Sequence, residues 1–471
     1  MKKLILLLSF VFIFNYIHAQ QTEFVKYYGE SCPDFGMSID ETSDGGYILL
    51  GHTQNYGAIV QDILLIKIDS LGNTEWQKLF GGNDYDFGQS VQQTNDNGFI
   101  ICGFTSSYGA GGTDIYLIKT DSFGNMEWEK TYGGTNNDYG YYVKQTNDNG
   151  FILCGSTRSF GAGNSDGIII KVNDLGIQQW SKYIGGANND GIYALDIIND
   201  GYILTGYTEN FGAQNTDAML IKIDLQGNQK WLKIFGGMNN ERAMGVKFID
   251  DNSYVIAGYT NSFGNGSDEI YLVKTDSAGN EIFSKTYGGS LSDKGFSLDL
   301  TSDKGFVILG QTSSFGLGLN DMYIVKTNSL GNIIWEKYYG GVDDDSGIMI
   351  KTTKDNGFIA IGNTLSNLPD WMDIMLVKMD STGYANSIFS LKANNLKILV
   401  YPNPVIDKII VESKDESAGI ITILDIQGRN LLSIDASQKT NEINISNLSK
   451  GIYFLKYETR NGIFVKKFVK E

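Results

Sequence analysis

Short runs that alternate between apolar and polar residues, or are apolar throughout, follow one another from residue 22 to about 387. In the clearest stretch four such runs occupy residues 87–94, 98–105, 114–120 and 126–132. Period-two alternation predicts half-buried β-strands, and a short apolar run predicts a fully buried one. Tight glycine turns such as Asn97-Gly98 separate the runs and predict hairpins. The pattern therefore predicts units of four antiparallel strands.

This unit recurs with a nearly constant period. Its marker is a Gly-Gly step followed by an acidic loop, and successive markers are 52 residues apart except for one interval of 51. The first glycines of the steps are Gly29, Gly81, Gly133, Gly185, Gly236, Gly288 and Gly340. Four-stranded units copied at such a period predict the blades of a β-propeller.

The two ends of the repeat region complement each other. An aromatic residue stands five positions before each Gly-Gly step, beginning with Phe24, but the seventh copy has Ser387 where its own aromatic residue is expected. Residues 22–28 thus form an orphan fourth strand, and the last copy lacks one. We predict an all-β fold in which this N-terminal strand closes a seven-bladed β-propeller over residues 20–387, followed by a small C-terminal β-sandwich.

Residues 1–19 predict a secretory signal peptide. Lys2 and Lys3 precede an apolar stretch and a polar close, and we expect cleavage after Ala19. The apolar stretch is too short for a comfortable membrane span, and no other segment is predicted to cross a bilayer after cleavage.

The formal charge of the chain limits which partners it is expected to bind. Residues 20–396 contain 24 basic and 45 acidic side chains, a formal charge of −21, whereas residues 397–471 carry +2. Nucleic acid and anionic lipid surfaces are therefore not expected as partners, because both would be repelled. Cys32, Cys102 and Cys154 suggest no disulfide framework, and the last two share one repeat position typical of core residues.

The segment FGGNDYDFGQSVQQTNDNGFIICGFTSSYG at residues 80–109 resembles the bacterial β-propeller repeat family of secreted proteins. The resemblance covers residues 22 to about 387 and implies a fold rather than an activity. The element Lys67-x-Asp69-x-x-Gly72-x-x-x-Trp76 is faintly similar to the tryptophan-docking repeats of quinoprotein-like propellers. That similarity implies that the tryptophan holds adjacent blades together.

After a predicted linker at residues 388–396, the chain changes character. The segments YPNP, LDIQGR, ISNLSKGIYFLK and VKKFVKE closely resemble the C-terminal type A sorting domain of type IX secretion, over residues 397–471. The resemblance implies that the type IX machinery recognises this tail, and that the protein is secreted or attached to the outer-membrane surface. The alternative is an ordinary accessory sandwich.

Two sets of acids recur in every repeat. The first stands five residues after each marker glycine and comprises Asp34, Asp86, Asp138, Asp190, Glu241, Asp293 and Asp345. The second precedes the third strand and comprises Asp62, Asp114, Asp166, Asp217, Asp268, Asp321 and Asp373. Both belong to one face of the predicted propeller.

These acids have two interpretations. Clustered carboxylates could bind a hard cation such as calcium. We expect no other cofactor. Alternatively, each carboxylate accepts hydrogen bonds from backbone N–H groups of its own glycine-rich turn. We favour the second interpretation, because a feature present in every repeat most simply serves the repeat.

Departures from the repeat are better candidates for function. The seventh repeat places Trp371 in a loop where other copies have small residues, and Arg158 and Arg242 are predicted to lie in loops on the same face. An exposed tryptophan can stack on a sugar ring or anchor a protein, and arginine can hold a carboxylate or sulfate. Packing and solvation are the structural alternatives.

No catalytic motif is present. His52 occupies a repeat position filled by unrelated residues in other copies, so we do not expect a catalytic base there. We expect a non-enzymatic binding or adhesion module for an extracellular glycan or protein. The alternatives are a polysaccharide lyase or hydrolase that uses carboxylates at the propeller mouth, and a structural surface-layer component.

Overall fold

The computed structural model describes residues 23–470 except 30–31, 55–59, 213–214, 250–251, 317, 368–370, 386–397, 414–418, 426–428, 437 and 460–461. Every regular element in these residues is a β-strand. Repeated four-stranded antiparallel sheets, consistent with a propeller, are followed by a C-terminal β domain. The predicted signal peptide and the predicted linker at 388–396 lie outside the described residues.

The repeat region contains a first strand, β1 (Phe24–Tyr28), and then six complete four-stranded sheets and a three-stranded remainder. The sheets comprise β2 (Asp34–Glu41), β3 (Tyr47–Thr53), β4 (Asp62–Ile68) and β5 (Thr74–Phe80); β6 (Asp86–Gln93), β7 (Phe99–Thr105), β8 (Asp114–Thr120) and β9 (Met126–Tyr132); β10 (Asp138–Gln145), β11 (Phe151–Thr157), β12 (Asp166–Val172) and β13 (Gln178–Ile184); β14 (Asp190–Ile198), β15 (Gly201–Thr208), β16 (Asp217–Asp224) and β17 (Gln229–Phe235); β18 (Glu241–Ile249), β19 (Ser253–Thr260), β20 (Glu269–Thr275) and β21 (Glu281–Tyr287); β22 (Asp293–Leu300), β23 (Phe306–Thr312), β24 (Asp321–Thr327) and β25 (Ile333–Tyr339); and β26 (Asp345–Thr352), β27 (Phe358–Thr364) and β28 (Asp373–Met379).

The local sequence pattern predicts these strands accurately. In the second repeat all four lie within one residue of the predicted runs. Asn97 adopts a φ of 64° in the predicted Asn97-Gly98 turn, a left-handed conformation that asparagine tolerates better than most residues. The second and third strands are almost wholly buried, whereas the fourth is largely exposed. Each sheet therefore has a buried centre and one solvent-facing edge.

The N-terminal strand completes the last sheet. β1 pairs antiparallel with β28, with Phe24 opposite Lys378, to give the strand order β26-β27-β28-β1. Phe24 also belongs to a core shared with the first sheet, in which Ile39 and Leu64 pack with Ile361 and Leu376. The pairing predicted between the two ends of the repeat region is therefore present.

The aromatic residue before each Gly-Gly step packs on the next sheet. A Cβ on Gly124 would lie 2.6 Å from the Trp76 ring, so the outer turn needs glycine to receive the indole. The same contact joins the last sheet to the first, where a Cβ on Gly72 would lie 2.9 Å from the Phe24 ring. The tryptophan thus docks adjacent sheets, as the faint quinoprotein similarity implied.

The C-terminal domain has two sheets around one core. They contain β29 (Ile398–Tyr401), β30 (Lys408–Ser413), β31 (Gly419–Leu424), β32 (Asn430–Ala436), β33 (Thr440–Asn444), β34 (Gly451–Thr459) and β35 (Gly462–Lys470). The sheet orders are β29-β30-β33 and β32-β31-β34-β35. Val411, Ile423, Leu455 and Phe468 are at most 1% exposed in the core between them. Burying the apolar faces of both sheets is the main stabilising contribution here.

Candidate functional site

The first strand of each repeat is the inner strand of its sheet, and neighbouring inner strands contact one another. Residues at matching positions of these strands form three rings. We call the set formed by the second residue of each inner strand the mouth ring. Its members are Phe35, Phe87, Tyr139, Gly191, Arg242, Lys294 and Ser346. Apart from the buried Gly191, all are half-buried, and no residue type occurs in more than two repeats.

An aromatic arc covers the mouth from the first to the third repeat. Each mouth-ring residue has a partner opposite it on the second strand. Aromatic side chains from both strands contact one another across sheet boundaries. The centroids of Phe35, His52, Phe87, Phe104 and Tyr139 are 4.9–5.1 Å apart from one ring to the next. His52 is buried between its neighbours, and the half-buried rings on either side of it form a platform for a flat apolar surface.

The arc continues through tyrosines of the third and fourth repeats. Tyr141 lies 5.3 Å from Tyr193, which lies 5.4 Å from Tyr207. Tyr207 leans over Gly191, since a Cβ on that glycine would lie 2.6 Å from the Tyr207 ring. Burial raises the pKa of Tyr141, Tyr193 and Tyr207, so all three hydroxyls stay protonated at neutral pH. Gly191, the one glycine of the mouth ring, thus makes room for the aromatic side chain of Tyr207 on the neighbouring strand.

Arg242 occupies the place next to this tyrosine. Its guanidinium carbon lies 4.4 Å from the centroid of Tyr207, and its Nη1 donates a 2.8 Å hydrogen bond to the Tyr193 hydroxyl. Burial opposes the charge on Arg242, but the surrounding tyrosines outweigh it and raise the pKa of the guanidinium. Contrary to the prediction, Arg242 does not lie in a loop: it is the second residue of β18. The strand begins at the repeated acid, Glu241, so a loop that includes Arg242 is two residues too long.

The fifth to seventh repeats present a different surface. Lys294 stands 5.1 Å from the Tyr259 centroid and 3.4 Å from the Asp268 carboxylate. Ser346 has Asn363 opposite it, whose Oδ1 accepts a 2.7 Å hydrogen bond from the Gly36 N–H of the first sheet. The mouth is therefore aromatic over four repeats, basic over two and small and polar over the last.

Each inner strand has a β-bulge below the mouth ring. The residue left unpaired at each bulge forms the second ring, which comprises Met37, Gln89, Tyr141, Tyr193, Met244, Phe296 and Ile348. These side chains line a cavity of about 300 Å³ to which all seven inner strands contribute. A bulge turns its extra side chain out of the alternating pattern. Sequence reasoning missed this ring because local alternation does not reveal where an extra residue is inserted.

A third ring lies three residues further along each inner strand. Its members are Asp40, Gln92, Lys144, Asp196, Lys247, Asp299 and Lys351. Three ion pairs, Lys144–Asp196, Lys247–Asp299 and Lys351–Asp40, join neighbouring inner strands at 2.5, 2.8 and 3.1 Å.

The second oxygen of each aspartate in this third ring holds the following inner strand. Asp196 accepts the Phe248 N–H at 2.9 Å, Asp299 accepts the Thr352 N–H at 2.8 Å, and Asp40 accepts the Gln93 N–H at 3.0 Å. The side chain of Gln92 does the same for Gln145 at 2.8 Å. Every junction between neighbouring inner strands, including the one from the seventh repeat to the first, is bridged by this ring.

The first acidic set is buried at the start of the inner strands, where its members are at most 1% exposed. Asp138 accepts hydrogen bonds from the Gly134 N–H at 2.8 Å, from the Ser159 hydroxyl at 2.6 Å, and from the Thr157 hydroxyl. Equivalent bonds to the second glycine of the Gly-Gly step are made by Asp86, Asp190, Glu241, Asp293 and Asp345. The geometry is that of a turn cap. The described residues contain no group of three or more acids, histidines or cysteines placed to hold a metal ion.

The second acidic set lies against the first. A Cβ on Gly133 would be 1.9 Å from Asp114 Oδ1 and 2.7 Å from Asp138 Oδ2, so carboxylates of both sets meet at the marker glycine. Burial, together with the charge of Asp86, raises the pKa of Asp62. One predicted member was wrong: in the fifth repeat the strand begins at Glu269, which caps the Asn265 and Gly266 N–H groups at 2.9 and 2.8 Å. Asp268 instead pairs with Lys294.

The other residues singled out in the sequence lie in different parts of the repeat region. Arg158 follows β11 in an exposed turn, and its charge reaches Tyr141 and Tyr207. Trp371 precedes β28 and is 45% exposed, although residues 368–370 of its loop lie outside the described part. His52 is buried between Phe35 and Phe87, and burial lowers its pKa to about 4. Cys102 and Cys154 are core residues, as predicted, and Cys32 is half-buried.

The C-terminal domain matches a known family of sorting domains. Residues 399–471 match the family model described as a secretion system C-terminal sorting domain. The tail is a type IX sorting domain. It implies recognition by the type IX machinery, secretion and attachment to the cell surface. The part of the chain that the structure describes contains no helix with the length and hydrophobicity needed to span a bilayer.

Solved structures with a similar arrangement are distant in sequence. The extracellular domain of BT4673 from B. thetaiotaomicron is 10% identical, with a TM-score of 0.44, and the match covers 94% of this chain and 58% of that one. PorZ of Porphyromonas gingivalis, a surface component of the type IX secretion system, is 11% identical, with a TM-score of 0.40 and coverages of 90% and 58%. The chain thus spans less than two thirds of either structure. No curated protein matches the chain. Similarities this low do not bear on its activity.

Proposed function

We propose that the secreted chain is a closed seven-bladed propeller that binds an extracellular glycan at its mouth and serves as a binding or adhesion module. The aromatic arc, with Arg242 at its end, is the observation that carries this proposal. Half-exposed rings stack on the apolar faces of sugar rings, and hydroxyl and guanidinium groups satisfy the sugar's polar edges. The central cavity beneath the arc can receive a protruding substituent.

Binding without turnover is the simpler expectation for this site. In six of the seven repeats the carboxylate of the first set accepts a hydrogen bond from a backbone N–H group, and the aspartates of the third ring are held in ion pairs. A general acid or base needs a carboxyl group that reaches the substrate. Trp371, exposed on the same face as the acidic sets, adds a second contact for an extended glycan or for a protein.

The test is a binding screen of the secreted, full chain against neutral and acidic extracellular oligosaccharides, with calcium and with chelator. Ligand masses are measured after incubation. We expect binding without shortening, and a loss of about tenfold in affinity for Phe87→Ala and Tyr139→Ala. Phe123→Ala is the matched control, because Phe123 is a 69% exposed aromatic residue on an outer hairpin.

Other results would separate the alternatives. Shortened oligosaccharides would identify a lyase or hydrolase instead of a binding module. Loss of binding on chelation would restore the acidic sets as calcium ligands. Absence of glycan binding altogether would contradict the proposal and leave a protein partner or a structural surface-layer role.

A further inference from the structure

The basic residues of the mouth lie together although the surrounding domain is strongly acidic. Residues 20–396 carry a formal charge of −21. Arg242 and Lys294 nevertheless occupy adjacent positions of the mouth ring, and the charges of Arg158 and Arg242 both act on Tyr207. A fully aromatic mouth would suffice for a neutral sugar. The local positive charge therefore needs its own explanation.

Arg242 differs from the ion-paired lysines of the repeat region. The repeated lysines of the third strands are buried in ion pairs, such as Lys119 with Asp96 at 2.8 Å, and Lys294 is paired with Asp268. The partners described for Arg242 are neutral: the Tyr193 hydroxyl and the Tyr207 ring. Within the described residues no carboxylate lies within ion-pair distance of its guanidinium. Its charge is thus available to a ligand.

The tyrosines also orient this guanidinium. Stacking on Tyr207 and the bond from Nη1 to Tyr193 restrain it, and that bond engages one of its five N–H donors. A restrained, planar guanidinium matches the two oxygens of a carboxylate and forms paired hydrogen bonds with them. Tyr193 also lines the central cavity, so a carboxylate bound here would sit at the cavity rim.

We propose, on the basis of the function proposed above, that the ligand is an acidic glycan whose sugar carboxylate binds Arg242 while an adjoining sugar ring stacks on the aromatic arc. The acidic body of the domain disfavours a dense polyanion. A uronic acid next to a stacking sugar satisfies both features, since it brings one carboxylate to the guanidinium of Arg242. Lys294 contributes less, because Asp268 already neutralises it.

The test uses ligand pairs that differ only in charge. Oligosaccharides derived from pectin, alginate and hyaluronan are compared with their methyl esters, which keep the sugar rings and remove the carboxylate charge. Affinities are measured by calorimetry for the full secreted chain and for Arg242→Lys, Arg242→Gln and Lys294→Gln. We expect at least one free acid to bind about tenfold more tightly than its ester. Arg242→Gln abolishes that preference, Arg242→Lys retains part of it, and Lys294→Gln leaves most of it.

The outcomes separate the two proposals. Equal binding of acids and esters by the unaltered chain would overturn the acidic-ligand inference and leave glycan binding standing. Retention of the acid preference in Arg242→Gln would also overturn it. Binding of sulfated but not carboxylated sugars would reject the carboxylate. If no glycan of either form binds, the proposed function fails and the inference fails with it. Melting temperatures of the three variants show whether folding is intact.

Discussion

Two neighbouring positions on the inner strands follow opposite rules. The first residue of each strand is a buried acid in all seven repeats, and in the second to seventh repeats it is hydrogen-bonded to the Gly-Gly turn. The second residue is half-buried at six of the seven positions, and it varies from phenylalanine to arginine, lysine or serine. One residue along a strand reverses the side-chain direction. The acids therefore point into the junctions between sheets, while the next side chains point to the mouth.

This difference separates residues that the repeat requires from residues that can differ between repeats. A turn whose N–H groups are buried must be satisfied in every copy, so the acid cannot change. No packing requirement is shared by all seven residues at the mouth, so the side chain there can differ between repeats, as the proposed binding role requires. The acid retained at the first position is structural, and the varied second position forms the candidate site.

The largest expected effect comes from Gly133→Ala. Its new Cβ would fall 1.9 Å from Asp114 Oδ1 and 2.7 Å from Asp138 Oδ2. Both carboxylates are held by hydrogen bonds to their turns, so they cannot both move away. We expect the free energy of unfolding to fall by about 4 kcal/mol or more, measured by denaturant titration. Gly451→Ala is the control, since its Cβ would first meet the Tyr453 ring at an ordinary 3.7 Å. Equal stability of the two variants would contradict the crowded junction.

A paired substitution at adjacent residues tests the comparison directly. Asp138→Ala leaves the Gly134 N–H and the Ser159 hydroxyl without their acceptor, which costs about 3 kcal/mol of stability. Tyr139→Ala removes a half-exposed ring, which costs less than about 2 kcal/mol but weakens glycan binding. Melting temperature and affinity are measured on both. A stable Asp138→Ala protein, or a Tyr139→Ala protein that binds normally, would break the division.

The aspartates of the third ring make the stability of the protein depend on pH. Although burial opposes its charge, Asp299 has a pKa of about 2, because the ammonium groups of Lys247 and Lys351 stabilise the carboxylate. Its ordinary pKa is 3.8, so its contribution to stability is present above that pH and is lost as pH falls towards 2. We expect Asp299→Asn to lower the free energy of unfolding by about 2 kcal/mol at pH 7, with little difference near pH 2. A constant difference at both pH values would be inconsistent with this account.

Trp371→Ala has the smallest expected effect on stability. The side chain is 45% exposed, so its loss should change the free energy of unfolding by less than about 0.5 kcal/mol. Affinity for long oligosaccharides should fall, while affinity for disaccharides should stay the same, because only long chains reach from the mouth to this loop. A large drop in melting temperature would instead show that Trp371 packs against the junction of the last and first sheets.

Most of the strand pattern could be predicted because it depends on neighbours along the chain. The predicted strands of the second repeat are within one residue of those observed. Single residues at strand ends were less certain: the acid that begins β20 is Glu269 rather than Asp268, and Arg242 lies within β18 rather than in a loop. Two adjacent acids give no local signal of which one begins the strand, and a charged residue after an acid gives none of whether it lies in the loop or in the strand.

The third ring was missed for another reason. Its ion pairs join residues about one repeat apart, such as Lys144 and Asp196. Alternating acids and lysines at the repeat interval were present in the sequence, and comparing the repeats position by position would have exposed them. Their pairing nevertheless requires that neighbouring inner strands face each other, which no local pattern specifies.

By itself the sequence determined the repeat, its strands and the sorting domain, because periodicity, turns and short motifs are properties of nearby residues. Only the tertiary structure decided which side chains share the mouth. The bulges turn one residue of each inner strand towards the central cavity, and Gly191 lets Tyr207 lie beneath Arg242. These neighbours are set by the packing of sheets across repeat boundaries, where residues far apart in the chain come into contact.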